Sequence, residues 1–420
     1  MDFNNNSHSW LTARRIRAHG LLLALCLWTV YAVDMASPSL RDRHGLIKGA
    51  DFLHFYTLGN LALSGRGDLL YDMRAQSELI RHLVPEASGY SYVALYGPQV
   101  SLFFAPFAKL SYASALLAWL LLNTAIYAVC CVATWRLCPN LQRSPGTVLI
   151  LAAAFPGFFH LLAWGQTSGL ALLCFTLAYL ALRKEKRFLA GLAIGCLVFK
   201  PQLGLAAAVV LLFAQEWKIV AGSIVAATAQ LSVGWTYYGI ATAVLRQYWQ
   251  ALAHVQQVMP LLEPRPYQMH SARAFWVLLL PWPNVSLGLY LLSSLVVLVL
   301  TVRCWRREAS LQLRYSALLL ATVLVAPHLT VYDLVILAPA FLFLADWTVT
   351  KRVHIVGWIL YAGYALFLLG PLVKLTHLQL SVPAMFALLW ICYRATDAAF
   401  FRSPHPLHWS RHEQFKSAAN

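Results

Sequence analysis

The chain has 420 residues, 60% of them hydrophobic and 11% charged, with a formal net charge of +16 and a mean hydropathy of +0.62. Soluble domains carry about 25% charged residues, so a string of soluble domains is excluded and a polytopic, all-α membrane protein is predicted. The basic excess lies at the ends of apolar runs, where it orients a chain in a bilayer; membrane lipids, and no nucleic acid, are the expected partners.

Arg14, Arg15 and Arg17 lead into the first apolar run. No small-residue cleavage site follows it cleanly, so a retained span is expected rather than a signal peptide. Hydropathy places about 12 transmembrane helices, at 17–36, 112–136, 146–163, 167–183, 188–200, 202–215, 217–238, 285–304, 312–326, 331–346, 353–372 and 379–399. The expected organisation is a cytoplasmic N-terminus (1–16), a transmembrane domain (17–399) with a long first extracytoplasmic loop (37–111), and a basic cytoplasmic tail (400–420). The 188–215 stretch is read as two short helices broken at Lys200-Pro201. With two passes there, 20 Lys and Arg fall inside and 12 outside, the sign the positive-inside rule requires.

Within the first loop, the 51–78 stretch alone holds four of the sixteen carboxylates, Asp51, Asp68, Asp72 and Glu78. Phe52, Phe55 and Tyr56 recur at helical spacing, which predicts an amphipathic helix over 52–63 lying in the membrane interface. A second, weaker one is expected over 73–83. The apolar 97–110 stretch is too short to span and is expected to re-enter or lie along the membrane.

This topology gathers the polar residues at membrane depth onto the extracytoplasmic face: Gln166, Lys200, Gln202, His328 and Asp333. Lys200 is the sharpest of them, because a lysine inside an apolar stretch is expensive and functional by default, with snorkelling as the alternative. Its charge suits an anionic lipid headgroup, and Arg265 and Arg273 of the later outside loop could join it. Asp51 is open to two readings, a helix N-cap or a general base facing a cavity. His328 could orient or tune it. Asp68 and Asp72 read as turn residues, and Asp333 as paired within the bundle. The tail histidines His405, His408 and His412 read as solvated, and no metal site is expected. The eight cysteines form no CxxC pair and read as apolar fillers. Walker, GxGxxG, HExxH and GxSxG motifs are absent from the sequence, which removes the signatures of nucleotide-driven transport and of the common hydrolases.

Asp51-Phe52-x-x-Phe55-Tyr56 with Gly59, Leu70-Tyr71-Asp72, Tyr96-x-Pro98 with Pro106 to Leu110, Trp164-Gly165-Gln166-Thr167, Gly191 to Lys200-Pro201-Gln202, and Pro327-His328-x-x-x-Tyr332-Asp333 follow one another in this order. Together they resemble glycosyltransferase family 87 over about 50–346. That family consists of GT-C type membrane mannosyltransferases using polyprenyl phosphate sugars; it commonly has Tyr-Pro-Pro where this chain has Tyr96-Gly97-Pro98. The resemblance implies a polyprenyl phosphate sugar donor, a glycolipid or glycan acceptor, no cofactor, and a site on the extracytoplasmic side of the bacterial inner (plasma) membrane. It implies Asp51 as base with His328 assisting, and Lys200, helped by Arg265 and Arg273, at the donor phosphate. Tyr56, Gln166, Gln202 and Tyr332 are expected to line the substrate groove. The competing class is a lipid or glycolipid transporter without chemistry; the one-sided placement of polar residues and the lack of a visible inverted repeat argue against it.

Overall fold

A computed structural model describes residues 11–397 except 94, 239–240, 259–262 and 264. The tail from 400, with its histidines, and residues 1–10 lie outside the described residues. Among the described residues the architecture is helical throughout, with only isolated bridges, Arg41 to Ile47 and Met269 to Thr330.

Among the described residues, five helices are long and apolar enough to cross a membrane: Ala13–Met35, Tyr112–Trp135, Trp217–Tyr238, Pro283–Arg306 and Val331–Lys351. Two bent pairs raise that to seven, Pro145–Ala153 with Pro156–Trp164 at 42° and His354–Leu366 with Gly370–Thr376 at 84°. Ser168–Arg183, Arg187–Phe199, Pro201–Phe213, Leu311–Val325 and Ser381–Ala395 are apolar but shorter. Each apolar run expected from hydropathy therefore coincides with a helix or a bent pair. The first turns of the 331 run are 3-10 rather than α, over Val331–Leu337.

Leu311–Val325 is the centre of the bundle. Every residue from Tyr315 to Leu324 is buried, so this helix touches protein on all sides. At 1.5 Å per residue its 15 residues reach about 22 Å, short of the apolar thickness of a bilayer. The Lys200-Pro201 break is present as expected. The Arg187–Gly195 helix tightens into a 3-10 turn over Cys196–Phe199, and a new helix begins at Pro201. Proline has no N–H to continue the ladder, and it drives Lys200 out of the helical region, to φ −131 and ψ 70.

The first loop departs from expectation. Its first helix, Ala50–Leu63, is no interfacial float: ten of the eleven residues from Phe52 to Ala62 are buried, and only Asn60 is partly open. Phe52 and Phe55 meet the Gln99–Phe104 helix through Phe104, at 6.2 Å and 4.8 Å between ring centroids, and Phe52 stacks on Trp119. The three aromatics do mark one face. Leu53, Leu58, Leu61 and Ala62 cover the others, so the helix is apolar all round, the pattern of a buried helix. The 97–110 stretch, here two short helical pieces, covers it. The amphipathic helix of the loop is instead Met73–Leu83, which buries Gln76 and Ile80 and exposes its charges.

Candidate active site

Asp51 stands in the first turn of the Ala50–Leu63 helix, but it is not the cap. The cap position belongs to Gly49, in the left-handed region at φ 63, with no side-chain cap. The carboxylate is thus left for another partner: Gln166 Nε2 donates to Asp51 Oδ2 at 2.8 Å. Two glycines allow this meeting. Gly165, at φ 68, ends the Pro156–Trp164 helix, and a Cβ there would lie 2.7 Å from Phe52 Cβ and 3.5 Å from Gly49 Cα. A Cβ on Gly49 would fall 2.4 Å from Leu116. Buried Trp119 donates its indole N–H to the Gly165 carbonyl at 2.9 Å and pins the turn. Gln166 in turn accepts from the Thr167 N–H at 3.1 Å, which fixes which end of its amide faces the acid.

Burial pushes the Asp51 carboxyl up to about 6; the Gln166 bond and the positive charges of Lys200 and Arg265 pull against that, while Asp333 adds to it. The phenols of Tyr92 and Tyr96 are pushed upward, first by burial and then by neighbouring negative charge that includes Asp51. Tyr92 donates its hydroxyl to the Ala50 carbonyl, one residue before the acid. These tyrosines therefore wall the carboxylate.

Lys200 is 2% exposed and its charge is already matched. Nζ lies 2.5 Å from Asp333 Oδ1 and 2.8 Å from Ser168 Oγ, and the Ser168 hydroxyl donates to the same Asp333 oxygen at 2.6 Å. Asp333 is 1% exposed, and its other oxygen accepts from the Thr330 N–H at 3.3 Å. The Lys200 ammonium also sits 5.0 Å from the centre of the Tyr332 ring. Desolvated charges persist only when paired. This pair binds three segments together at one depth: the turn carrying Gln166, the break at Lys200, and the stretch that follows His328. The expectation that Asp333 is paired holds, and its partner is the lysine itself.

Arg265 lays its guanidinium over the Trp164 ring, 5.4 Å from the centroid, beside the Gly165-Gln166 turn. Its backbone N–H donates to Glu263 Oε1 at 2.9 Å. Glu263 is a carboxylate that sequence reasoning missed. Burial pushes it up to about 7, with the Asp51 charge adding to the rise. Arg273 donates to the Pro327 carbonyl at 3.3 Å and so holds the turn that carries partly buried His328.

The structure thus brings Asp51, Gln166, Lys200, Arg265 and Tyr332 into one neighbourhood, with Arg273 and His328 adjoining through the 327–333 stretch. Tyr56 is not part of it: the ring packs against Tyr112 and the hydroxyl donates to the Leu110 carbonyl at 2.8 Å. Gln202 lies in the first turn of Pro201–Phe213, partly exposed, and the described side-chain contacts do not tie it to Asp51. Asp72 caps Met73–Leu83 by accepting from the Arg74 and Ala75 N–H groups, and Asp68 pairs with Arg66 at the surface. Ser168 was also missed; a serine after a Gly-Gln-Thr run reads as an ordinary helix start.

Comparison with known proteins gives one finding. A family model described as glycosyltransferase family 87 matches residues 94–329. The match takes in Gln166, Lys200, Arg265, Arg273 and His328, while Asp51 lies before it and Tyr332 just after. No curated protein and no solved structure matches the chain.

Proposed function

The chain belongs to glycosyltransferase family 87, and from that premise we propose that it moves a hexose, taken as mannose, from a polyprenyl phosphate donor to a lipid-linked or cell-envelope glycan. The proposed reaction is a single inverting displacement. Asp51 takes the proton of the acceptor hydroxyl, that oxygen bonds to the anomeric carbon, and the bond to the lipid phosphate oxygen breaks with its electrons leaving on the phosphate. The observation carrying this reading is the Asp51 carboxylate. It is accessible in part, oriented by Gln166 at 2.8 Å, and walled by aromatic rings. A general base needs such a fixed carboxylate within reach of the hydroxyl.

The geometry favours Arg265, with Arg273 and His328, for the charge growing on the departing phosphate. Lys200 is already paired with Asp333, so we assign it to holding the site together rather than to the phosphate itself. A leaving monophosphate carries less charge than a diphosphate, and we propose that transfer needs no divalent metal. The full reading has twelve crossings, with the 37–111 loop and the site on the extracytoplasmic side of a bacterial inner membrane; the distribution of Lys and Arg supports it.

Purified protein incubated with labelled polyprenyl phosphate mannose and a membrane extract tests the class. Release of lipid phosphate that needs the acceptor, and continues in chelator, is expected. Movement of the intact donor across the bilayer without cleavage would favour the transporter instead, and activity lost in chelator and restored by Mn²⁺ would overturn the metal-free step.

The pH dependence follows from the raised Asp51 carboxyl. A base works only when deprotonated, so turnover is expected to fall as pH drops through about 6 and to approach a tenfold loss per unit well below it. A profile flat from pH 7.5 to 5 would remove Asp51 as the titrating base.

A further inference from the structure

The Met73–Leu83 helix of the first loop is fixed along one face and open along the other. Asp72 caps its start, Gln76 donates to the Leu70 carbonyl at 2.6 Å, and Ile80 is fully buried. Arg74, Ser77, Glu78 and Arg81 follow one another at spacings of three and four and share the opposite face. With Met73, and with Ser91 from the segment beyond, they line a groove of about 370 Å³, inside the range of ligand sites, about 300–1,000 Å³. Its charged ends are not committed to one another. The Arg74 guanidinium has no partner among the described residues. Arg81 and Glu78 stand 3.8 Å apart, their side chains 57% and 71% exposed, which is too far for a hydrogen bond. The Ser77 hydroxyl donates to the Met73 carbonyl at 2.9 Å and so offers the groove lone pairs only.

We propose that this groove is a distal acceptor subsite, which holds an uncharged sugar unit of a glycan acceptor while another unit of the same glycan presents its hydroxyl to Asp51. The lining decides the class of ligand. An acidic group would meet Glu78, and a cationic one would meet two arginines. Neighbouring hydroxyls of a pyranose both donate and accept, so they can take hydrogen bonds from the guanidiniums and Ser91 and give them to Glu78 and Ser77. Met73 alone is apolar among the lining residues, which disfavours a lipid chain. The groove adjoins the Asp51 neighbourhood across residues 90–92. The rings of Tyr90 and Tyr92 lie 6.2 Å apart; the Tyr90 hydroxyl accepts from the Ile47 N–H at 3.0 Å, and the Tyr92 hydroxyl donates to the Ala50 carbonyl. Ser91, between them, lines the groove and is exposed. This segment is therefore a shared wall, and a glycan of two or more units can reach over its rim. The helix is held in place before any ligand arrives, so binding has only side chains to order. The inference rests on the transfer reading for calling the glycan an acceptor, though not for the binding of sugar itself.

The test uses the full chain in an amine-oxide detergent free of sugar, with thermal unfolding followed by tryptophan fluorescence. Methyl α-mannopyranoside is compared with linear mannotrioses of α-1,2, α-1,3 and α-1,6 linkage and with maltotriose. At least one trisaccharide is expected to half-saturate at a concentration at least tenfold below that of the monosaccharide. Arg74→Ala combined with Glu78→Ala should raise that trisaccharide's half-saturating concentration at least tenfold. Its Tm without ligand should be no lower than wild type, because both side chains are exposed and alanine is the best helix former. No gain with any trisaccharide in wild type, or a gain that survives the double variant, would overturn the proposal. Tighter binding of mannose 6-phosphate than of any trisaccharide, lost in Arg74→Ala, would overturn it too, by making the groove an anion site. Asp51→Asn separates the two readings, since it should bind the trisaccharide as wild type does. Arg74-dependent trisaccharide binding by a protein that never transfers sugar would sink the transfer reading and leave the sugar subsite standing. Transfer that proceeds with no gain from the longer glycan would sink the subsite alone.

Discussion

Asp51→Asn is expected to leave the fold and donor binding in place and to reduce sugar transfer by about 10²–10⁴-fold, the range general-base groups contribute. The replacement is nearly isosteric, and its amide oxygen can still accept from Gln166, which holds Asp51 Oδ2 at 2.8 Å. What is lost is the capacity to take a proton. Donor affinity should stay within a few-fold, since Arg265, Arg273 and His328 are untouched. Parallel measurement of donor binding and transfer checks this. Turnover near wild type would remove Asp51 from the chemistry, and loss of donor binding alongside transfer would make it a structural acid.

The second large effect concerns Lys200. Lys200→Ala strands Asp333 as an unpaired carboxylate 1% exposed, and breaking a buried pair in this way destabilises by about 3–5 kcal/mol. The Thr330 and Ser168 bonds to Asp333 would be disturbed with it, so the turn carrying Gln166 and the stretch after His328 should loosen together. The double substitution Lys200→Met with Asp333→Leu removes both charges, and replacing both partners of a buried pair by apolar groups is often neutral. The double variant is therefore expected to regain most of the stability and to bind donor within a few-fold of wild type. Stability restored with donor affinity still collapsed would return Lys200 to the donor phosphate.

The extent to which this site could be read from sequence follows from what each residue needs. Lys200 announced itself because a lysine amid Cys196 to Phe199 violates the apolar pattern, and the proline after it marked the break. Its role did not follow, because Asp333 is 133 residues away and pairing at that separation leaves no periodic trace. The Asp51 to Gln166 bond, spanning 115 residues, is hidden in the same way; only Gly165, a glycine between Trp164 and a polar residue, hinted that a backbone passes close by. The Ala50–Leu63 helix was misplaced for a different reason. Its aromatic stripe is real, but a stripe predicts a water-facing opposite side, and here Tyr92, Phe104 and Trp119 close round it. Glu263 was overlooked as a single acid beside Arg265, where a surface pair is the ordinary reading. The apolar runs, by contrast, survived almost unchanged, because the demand for apolar length is local.

The central claim, direct displacement with Asp51 as base, is tested most directly by the anomeric configuration of the product. Sugar transferred by the purified protein from a polyprenyl phosphate donor of known configuration would be examined by proton NMR at the new linkage. Inversion is predicted, because one hydroxyl attacks the face opposite the leaving phosphate. A product that retains the donor's configuration would contradict the account, since it would require two displacements and a covalent sugar intermediate for which Asp51 would be nucleophile and not base.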